Sequence, residues 1–138
     1  MNGERTSVHF MSQRFDWQTP ERVFQELNEE FNFDFDPCPT SPDFDGLKIA
    51  WGDRNFVNPP YGREIGKWIE KGYWEHLMFG KVVVFLIPSR TDTRWWHDYV
   101  MKADEIRFIK GRLKFRGAKN SAPFPSCIVI FDKRNVVE

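Results

Sequence analysis

A chain of 138 residues is long enough for one domain with a sizeable core. With 41% hydrophobic residues, six Trp and fourteen Phe, it reads as a folded globular protein, and its net charge of zero marks no overall bias toward a basic or acidic partner. Two cysteines, Cys38 and Cys127, make neither a metal cluster nor a disulfide framework, so no metal is expected.

Residues 1–14 are polar and read as a disordered tail ahead of a single domain over 15–138. Thr19-Pro20 predicts a helix start, Thr19 as the cap and Pro20 at the first helical position. Val23, Phe24 and Leu27 continue it as an apolar stripe to about residue 30. The alternation over 31–36, stopped by Pro37, predicts a strand. The loop-like stretch 37–54 carries three prolines and two glycines, and 55–57 is a short strand running into Asn58. A helix follows over 65–79. The run 81–87 is apolar on both faces, which predicts a central, parallel strand. Pro88 ends it, and Thr91 or Asp92 can cap a helix reaching residue 101. Strands are predicted over 105–109, 113–115 and 126–131, with a loop over 117–125. This order gives an α/β sheet with helices packed on it, and ligands in such sheets sit beyond the carboxyl ends of the strands. No apolar run reaches the length of a membrane span or a secretory signal, so the cytoplasm is the expected location.

Asn58-Pro59-Pro60-Tyr61 stands at one of those strand ends. The string suits methylation of an exocyclic amine, whose lone pair is delocalised into a ring and is poorly nucleophilic. Two acceptors that hold its two hydrogens draw the nitrogen toward tetrahedral geometry. Asn58 Oδ1 offers one acceptor and the Pro59 carbonyl the other. Pro59 and Pro60 stiffen the backbone and remove competing N–H donors. Tyr61 offers a flat face for a base. The bland reading of the same residues is an ordinary turn.

The zero net charge conceals an asymmetry. Residues 16–53 carry ten acids against Arg22 and Lys48. Residues 107–119 carry Arg107, Lys110, Arg112, Lys114, Arg116 and Lys119 and no acid, with Phe108 and Phe115 interleaved. That pattern suits a phosphate backbone beside an exposed base, or a solvated hairpin face.

Over residues 15–131 the chain resembles the small phage-encoded DNA N6-adenine methyltransferases, the phage Dam family. The resemblance rests on Asp16-Trp17-Gln18-Thr19-Pro20, Phe35-Asp36-Pro37-Cys38 and Asn58-Pro59-Pro60-Tyr61-Gly62. It continues through Pro88-Ser89-Arg90-Thr91-Asp92-Thr93-Arg94-Trp95, Gly111-Arg112-Leu113-Lys114-Phe115 and Ala122-Pro123-Phe124-Pro125-Ser126. It implies a compact, truncated Rossmann-like class I methyltransferase, with a parallel sheet core and a C-terminal antiparallel strand pair. It implies S-adenosylmethionine (AdoMet) as methyl donor and adenine in DNA as acceptor. Trp17, Thr19 and Pro20 then resemble the segment closing over the donor's methionine end, and the Asp36-Pro37 pair a reduced form of the motif at the first strand's end. Asn58 would border the donor as well as the base. Arg90, Arg112, Lys114, Phe115, Arg116 and Phe124 fall to the DNA side.

Two departures stand out. Cys38-Pro39-Thr40 replaces the usual glycine-rich loop, and only about twenty residues separate Asp36 from Asn58. The acid that usually contacts the donor's ribose is therefore missing from its place, with Asp43, Asp45 and Asp53 as substitutes. The residues also admit methylation of an RNA adenine or a protein glutamine amide, and a non-catalytic module binding AdoMet or nucleic acid. His97, Trp95, Trp96 and both cysteines read as structural.

Overall fold

The computed structural model describes residues 17–40 and 42–132. The expected tail over 1–14 lies outside them. Three α-helices, α1 (Glu21–Phe31), α2 (Ile65–Phe79) and α3 (Arg94–Asp98), accompany four strands, β1 (Arg54–Val57), β2 (Val82–Pro88), β3 (Glu105–Phe108) and β4 (Ser126–Phe131). The strands form one sheet in the order β1-β2-β4-β3. β1 and β2 pair in parallel, joined by α2 as the crossover such a pair requires. β4 runs antiparallel to both β2 and β3. β3 therefore points the same way as β1 and β2, with β4 reversed between them. The expected parallel core is thus a single hydrogen-bonded parallel pair, and the expected antiparallel pair is β3 with β4.

β2 is buried because both faces of the sheet are covered. Val83, Phe85 and Ile87 point to one face, with Val129 and Phe131, under Trp68 and Ile69 of α2 and under Trp96. Val84 and Leu86 point to the other, with Phe56, Ile128 and Ile130, under Leu27 and Phe31 of α1 and under Phe115. The period of two along each strand feeds two separate cores. α2 lies close on its face: a Cβ on Gly72 would sit 2.4 Å from the buried Phe85 ring.

Four local expectations are corrected. Thr19 does not cap α1. Pro20 is the residue before the helix, with φ −60° and ψ 136°, and no side chain caps that end. The alternating 31–36 segment makes only one bridge, Phe35 to Asn55, because the Asp34 carboxylate takes the Arg54 N–H at 3.0 Å and Pro37 stops the ladder. Residues 113–115 are loop: Gly111 and Gly117 turn the backbone with φ of 76° and 84°, and Arg116 alone bridges to Gln18. α3 is capped by Thr93, whose Oγ1 accepts from Trp96 N at 3.3 Å, rather than by Thr91 or Asp92.

The 46–53 loop is fastened by a buried carboxylate. Glu75 on α2, 4% exposed, accepts from Lys81 Nζ at 2.6 Å and Lys71 Nζ at 2.7 Å, while Lys81 also donates to the Trp51 carbonyl. Trp51 Nε1 donates to the Gly46 carbonyl at 2.7 Å. Gly46 is packed so closely that a Cβ there would lie 2.1 Å from the Pro37 carbonyl oxygen. Burial pushes the Glu75 carboxyl upward, but the two ammonium groups outweigh it and hold it below the ordinary 4.5.

Glu75→Gln should therefore cost about 2–4 kcal/mol at neutral pH, since it leaves two cations facing a neutral amide. Because the folded carboxyl titrates lower than the unfolded one, this stabilisation is complete above about 4.5 and lost as pH falls through the lowered value. Urea denaturation of parent and variant from pH 7 to pH 3 measures the gap, which should close with acid.

Candidate active site

Three backbone segments end at one rim of the sheet. The Phe35 bridge delivers Asp36-Pro37, β1 delivers Asn58–Tyr61, and β2 delivers Ser89-Arg90. Beside the first two lies a cleft of about 410 Å³, lined among others by Trp17, Thr19, Asp36, Cys38, Asn58 and Pro59. Its size is that of a small-molecule site.

Asn58 is the focal residue. Its Nδ2 donates to the Trp17 carbonyl at 2.6 Å and to Thr19 Oγ1 at 3.0 Å. Its Oδ1 is buried and has no hydrogen-bond partner among the described residues. An unpaired buried acceptor costs about 1–3 kcal/mol, so the site keeps a polar atom unsatisfied at the wall of a cleft. Pro59 is buried behind it.

Tyr61 is half-buried, and its hydroxyl donates to the Leu86 carbonyl at 3.2 Å. Burial, with a further contribution from the Cys127 thiol, pushes its pKa well above 10. The hydroxyl is thus a fixed donor and no base. Its ring lies 5.6 Å from Phe124 and 6.5 Å from Trp17, nearly parallel to the latter at 21°. Trp17 in turn meets Phe115 at 5.4 Å and Phe124 at 5.1 Å. The Cys127 thiol is raised by burial to about 11 and is a packed group rather than a nucleophile.

Asp36 accepts from the Cys38 N–H at 2.9 Å through Oδ1. Crowding by the protein raises its pKa, and the Cys38 bond opposes that rise. Pro37 is buried beneath Gly46, and Pro20 stands at the helix entrance; neither lines the cleft. Arg116 does line it, while Arg90, Arg112 and Lys114 are exposed outside it. Phe115, 1% exposed, is a core residue of the α1 face, and Phe124 is half-buried. Arg107 is withdrawn from the basic stripe by paired bonds of 2.7 Å to both Glu30 oxygens and another to Glu105.

None of Asp43, Asp45 and Asp53 lines the cleft, and Asp45 Oδ1 is taken by the Leu47 N–H. Glu21 and Gln25 do line it. The sequence held a signal for them: they sit four apart on α1, directly after Thr19-Pro20, and so share one helix face. Among the described residues no group of three or more His, Cys, Asp or Glu side chains could hold a metal ion, and no helix is long and apolar enough to cross a membrane.

The family model described as DNA N-6-adenine-methyltransferase (Dam) matches residues 6–134. The chain belongs to this family. It is similar to the DNA N-6-adenine-methyltransferase of Haemophilus phage HP1 (strain HP1c1), at 28% identity over 106 residues. That match covers 67% of this chain and 61% of the relative, so the chain spans about three fifths of the length of the curated relative it matches. No solved structure matches it.

Burial separates the basic segment's residues into two kinds. Phe115→Ala should cost about 3–5 kcal/mol in urea denaturation, as expected of a core aromatic. Arg112→Ala should stay within about 0.5 kcal/mol of the parent.

Proposed function

We propose that the protein transfers a methyl group from AdoMet to N6 of adenine in DNA, within the cytoplasm of a bacterial or phage-infected cell. The observation that carries this reading is the buried, unpartnered Asn58 Oδ1 at the cleft wall. Family membership supplies the reaction class and the base. AdoMet fits the donor set: the cleft combines the Asp36 carboxylate and the Trp17 ring in about 410 Å³. Bound there, AdoMet supplies an electrophilic sulfonium methyl.

The chain's residues then divide the task. Asp36 accepts from the donor's ammonium group, in a position stiffened by Pro37. Trp17 and Thr19 border the same compartment, and Pro20, outside the cleft lining, fixes the backbone that follows them. Asn58 Oδ1 and the Pro59 carbonyl accept the two hydrogens of the adenine amine and raise its nucleophilicity in an in-line attack. Asn58 is neutral and does not remove the proton beforehand; the nitrogen becomes acidic once methylated. Pro60 keeps the loop rigid. The base must be flipped from the duplex or presented single-stranded, and it stacks on the face of Tyr61, while Phe124, edge-on to that ring at 5.6 Å and 75°, flanks it. Only the Tyr61 ring serves this role, because its hydroxyl is engaged by Leu86.

DNA phosphates fit Arg90, Arg112, Lys114 and Arg116, with Phe115 supporting the segment from the core rather than meeting a base. We take the mixed α/β sheet, with three strands running one way and one reversed between them, as a shortened Rossmann-like methyltransferase fold.

Asn58→Ala should lower kcat about 10²–10³-fold, the effect of removing one preorganised polar partner of the transition state. Its AdoMet affinity should remain within a few-fold by calorimetry. Activity within tenfold of the parent in a folded variant would remove Asn58 from the chemistry. For DNA, the triple variant Arg112→Ala, Lys114→Ala, Arg116→Ala should reduce the slope of log affinity against log salt by roughly three. Arg107→Ala should leave that slope unchanged, since its charge is already paired.

A further inference from the structure

Thr19 stands where a helix cap is expected, yet its hydroxyl serves Asn58 instead. Building on the reading above, we infer that Thr19 is a positioning residue that holds the Asn58 amide at the cleft wall, while the Trp17 carbonyl fixes which end of that amide faces the acceptor amine. A side-chain amide has two ends of similar size and opposite polarity, exchanged by a half-turn about its last torsion. In the observed orientation both Nδ2 hydrogens have acceptors, at 2.6 Å and 3.0 Å. The reversed amide would set Oδ1 against the Trp17 carbonyl, two acceptors with no proton between them. It would also present a donor to an amine that needs an acceptor.

The two contacts do different things. The Trp17 carbonyl alone decides the polarity, because it can only accept. Thr19 Oγ1 holds the second N–H and stops the amide from swinging off the cleft wall. Its own position is secured on either side. The Gln18 carbonyl accepts from Arg116 N at 2.9 Å, the Trp17 ring is packed against Phe115 and Phe124, and Pro20 fixes the backbone that follows. The alternative assignment, in which the Thr19 hydroxyl contacts the methyl donor directly, predicts the opposite kinetic split.

The test uses the full chain with Thr19→Val, which removes the hydroxyl at nearly constant shape, Thr19→Ser, which keeps it, Asn58→Ala and the Thr19→Val/Asn58→Ala double variant. The readouts are kcat at saturating AdoMet and DNA, and AdoMet affinity by calorimetry. Thr19→Val should lower kcat about tenfold or more while AdoMet Kd stays within about threefold. Thr19→Ser should recover most of the loss. Thr19→Val should add little on the Asn58→Ala background, because its effect runs through that amide. Should the valine variant fold poorly, Thr19→Ala gives the same comparison without added bulk. A hydroxyl-free variant with parental kcat and weakened AdoMet binding would make Thr19 a donor contact and overturn the inference, as would one with both values unchanged. If Asn58→Ala is itself fully active, the acceptor reading fails and the positioning role with it. If Asn58→Ala is inactive and Thr19→Val fully active, only the positioning role falls.

Discussion

The hydrogen bonds from Asn58 Nδ2 to Trp17 and Thr19 join the chain entering α1 to the end of β1, across about forty residues of sequence. They do in one contact what the site needs from two elements. They close the rim between the α1 face and the sheet, and they turn a buried acceptor toward the cleft. Apolar packing holds the elements in place but has no direction, whereas this contact has a polarity. The unsatisfied Oδ1 is a local cost that the surrounding cores must sustain. β2, covered on both faces, and the aromatic block of Trp17, Tyr61, Phe115 and Phe124 supply that rigidity.

A second polar knot serves the opposite side of the cleft. Glu75, Lys81 and Trp51 fix the 46–53 loop, whose Gly46 lies against the Pro37 carbonyl and so backs the Asp36 turn. Only about twenty residues separate Asp36 from Asn58, and among the described residues no regular strand or helix lies between Asp36 and β1 to hold them. A desolvated carboxylate with two ammonium partners replaces secondary structure there. Charge is partitioned in a similar way along 107–119: Arg107 is spent on Glu30 and Glu105, and the exposed cations that remain cluster from residue 110 onward.

Periodicity made much of the fold legible. The apolar run of β2 required burial on both faces, and the stripe of α1 required a sheet beneath it. What periodicity misread were segments whose fate depends on a partner. Residues 31–36 alternate like a strand, but Asp34 substitutes a side chain for the ladder. Phe108 and Phe115 look alike within a basic stretch, yet one is 66% exposed and the other 1%, because the turns at Gly111 and Gly117 reorient the chain between and beyond them. Lys71 and Glu75, four apart on a helix, have the pattern of a solvated surface pair until Trp51 folds over them. Thr19 has the pattern of a cap, and nothing local reveals that Asn58 claims its hydroxyl. Asn58 and Asp36 were legible because strand-end position and residue type both pointed to them.

The roles proposed for the site turn on which atom receives the methyl group. Incubating the protein with methyl-labelled AdoMet and unmethylated DNA, then digesting the DNA to nucleosides and identifying the labelled one, tests it most directly. Label is expected in N6-methyladenine, and its loss in Asn58→Ala. Label absent from DNA but present in RNA or in a glutamine side chain of protein, or no transfer by a protein that binds AdoMet, would contradict it.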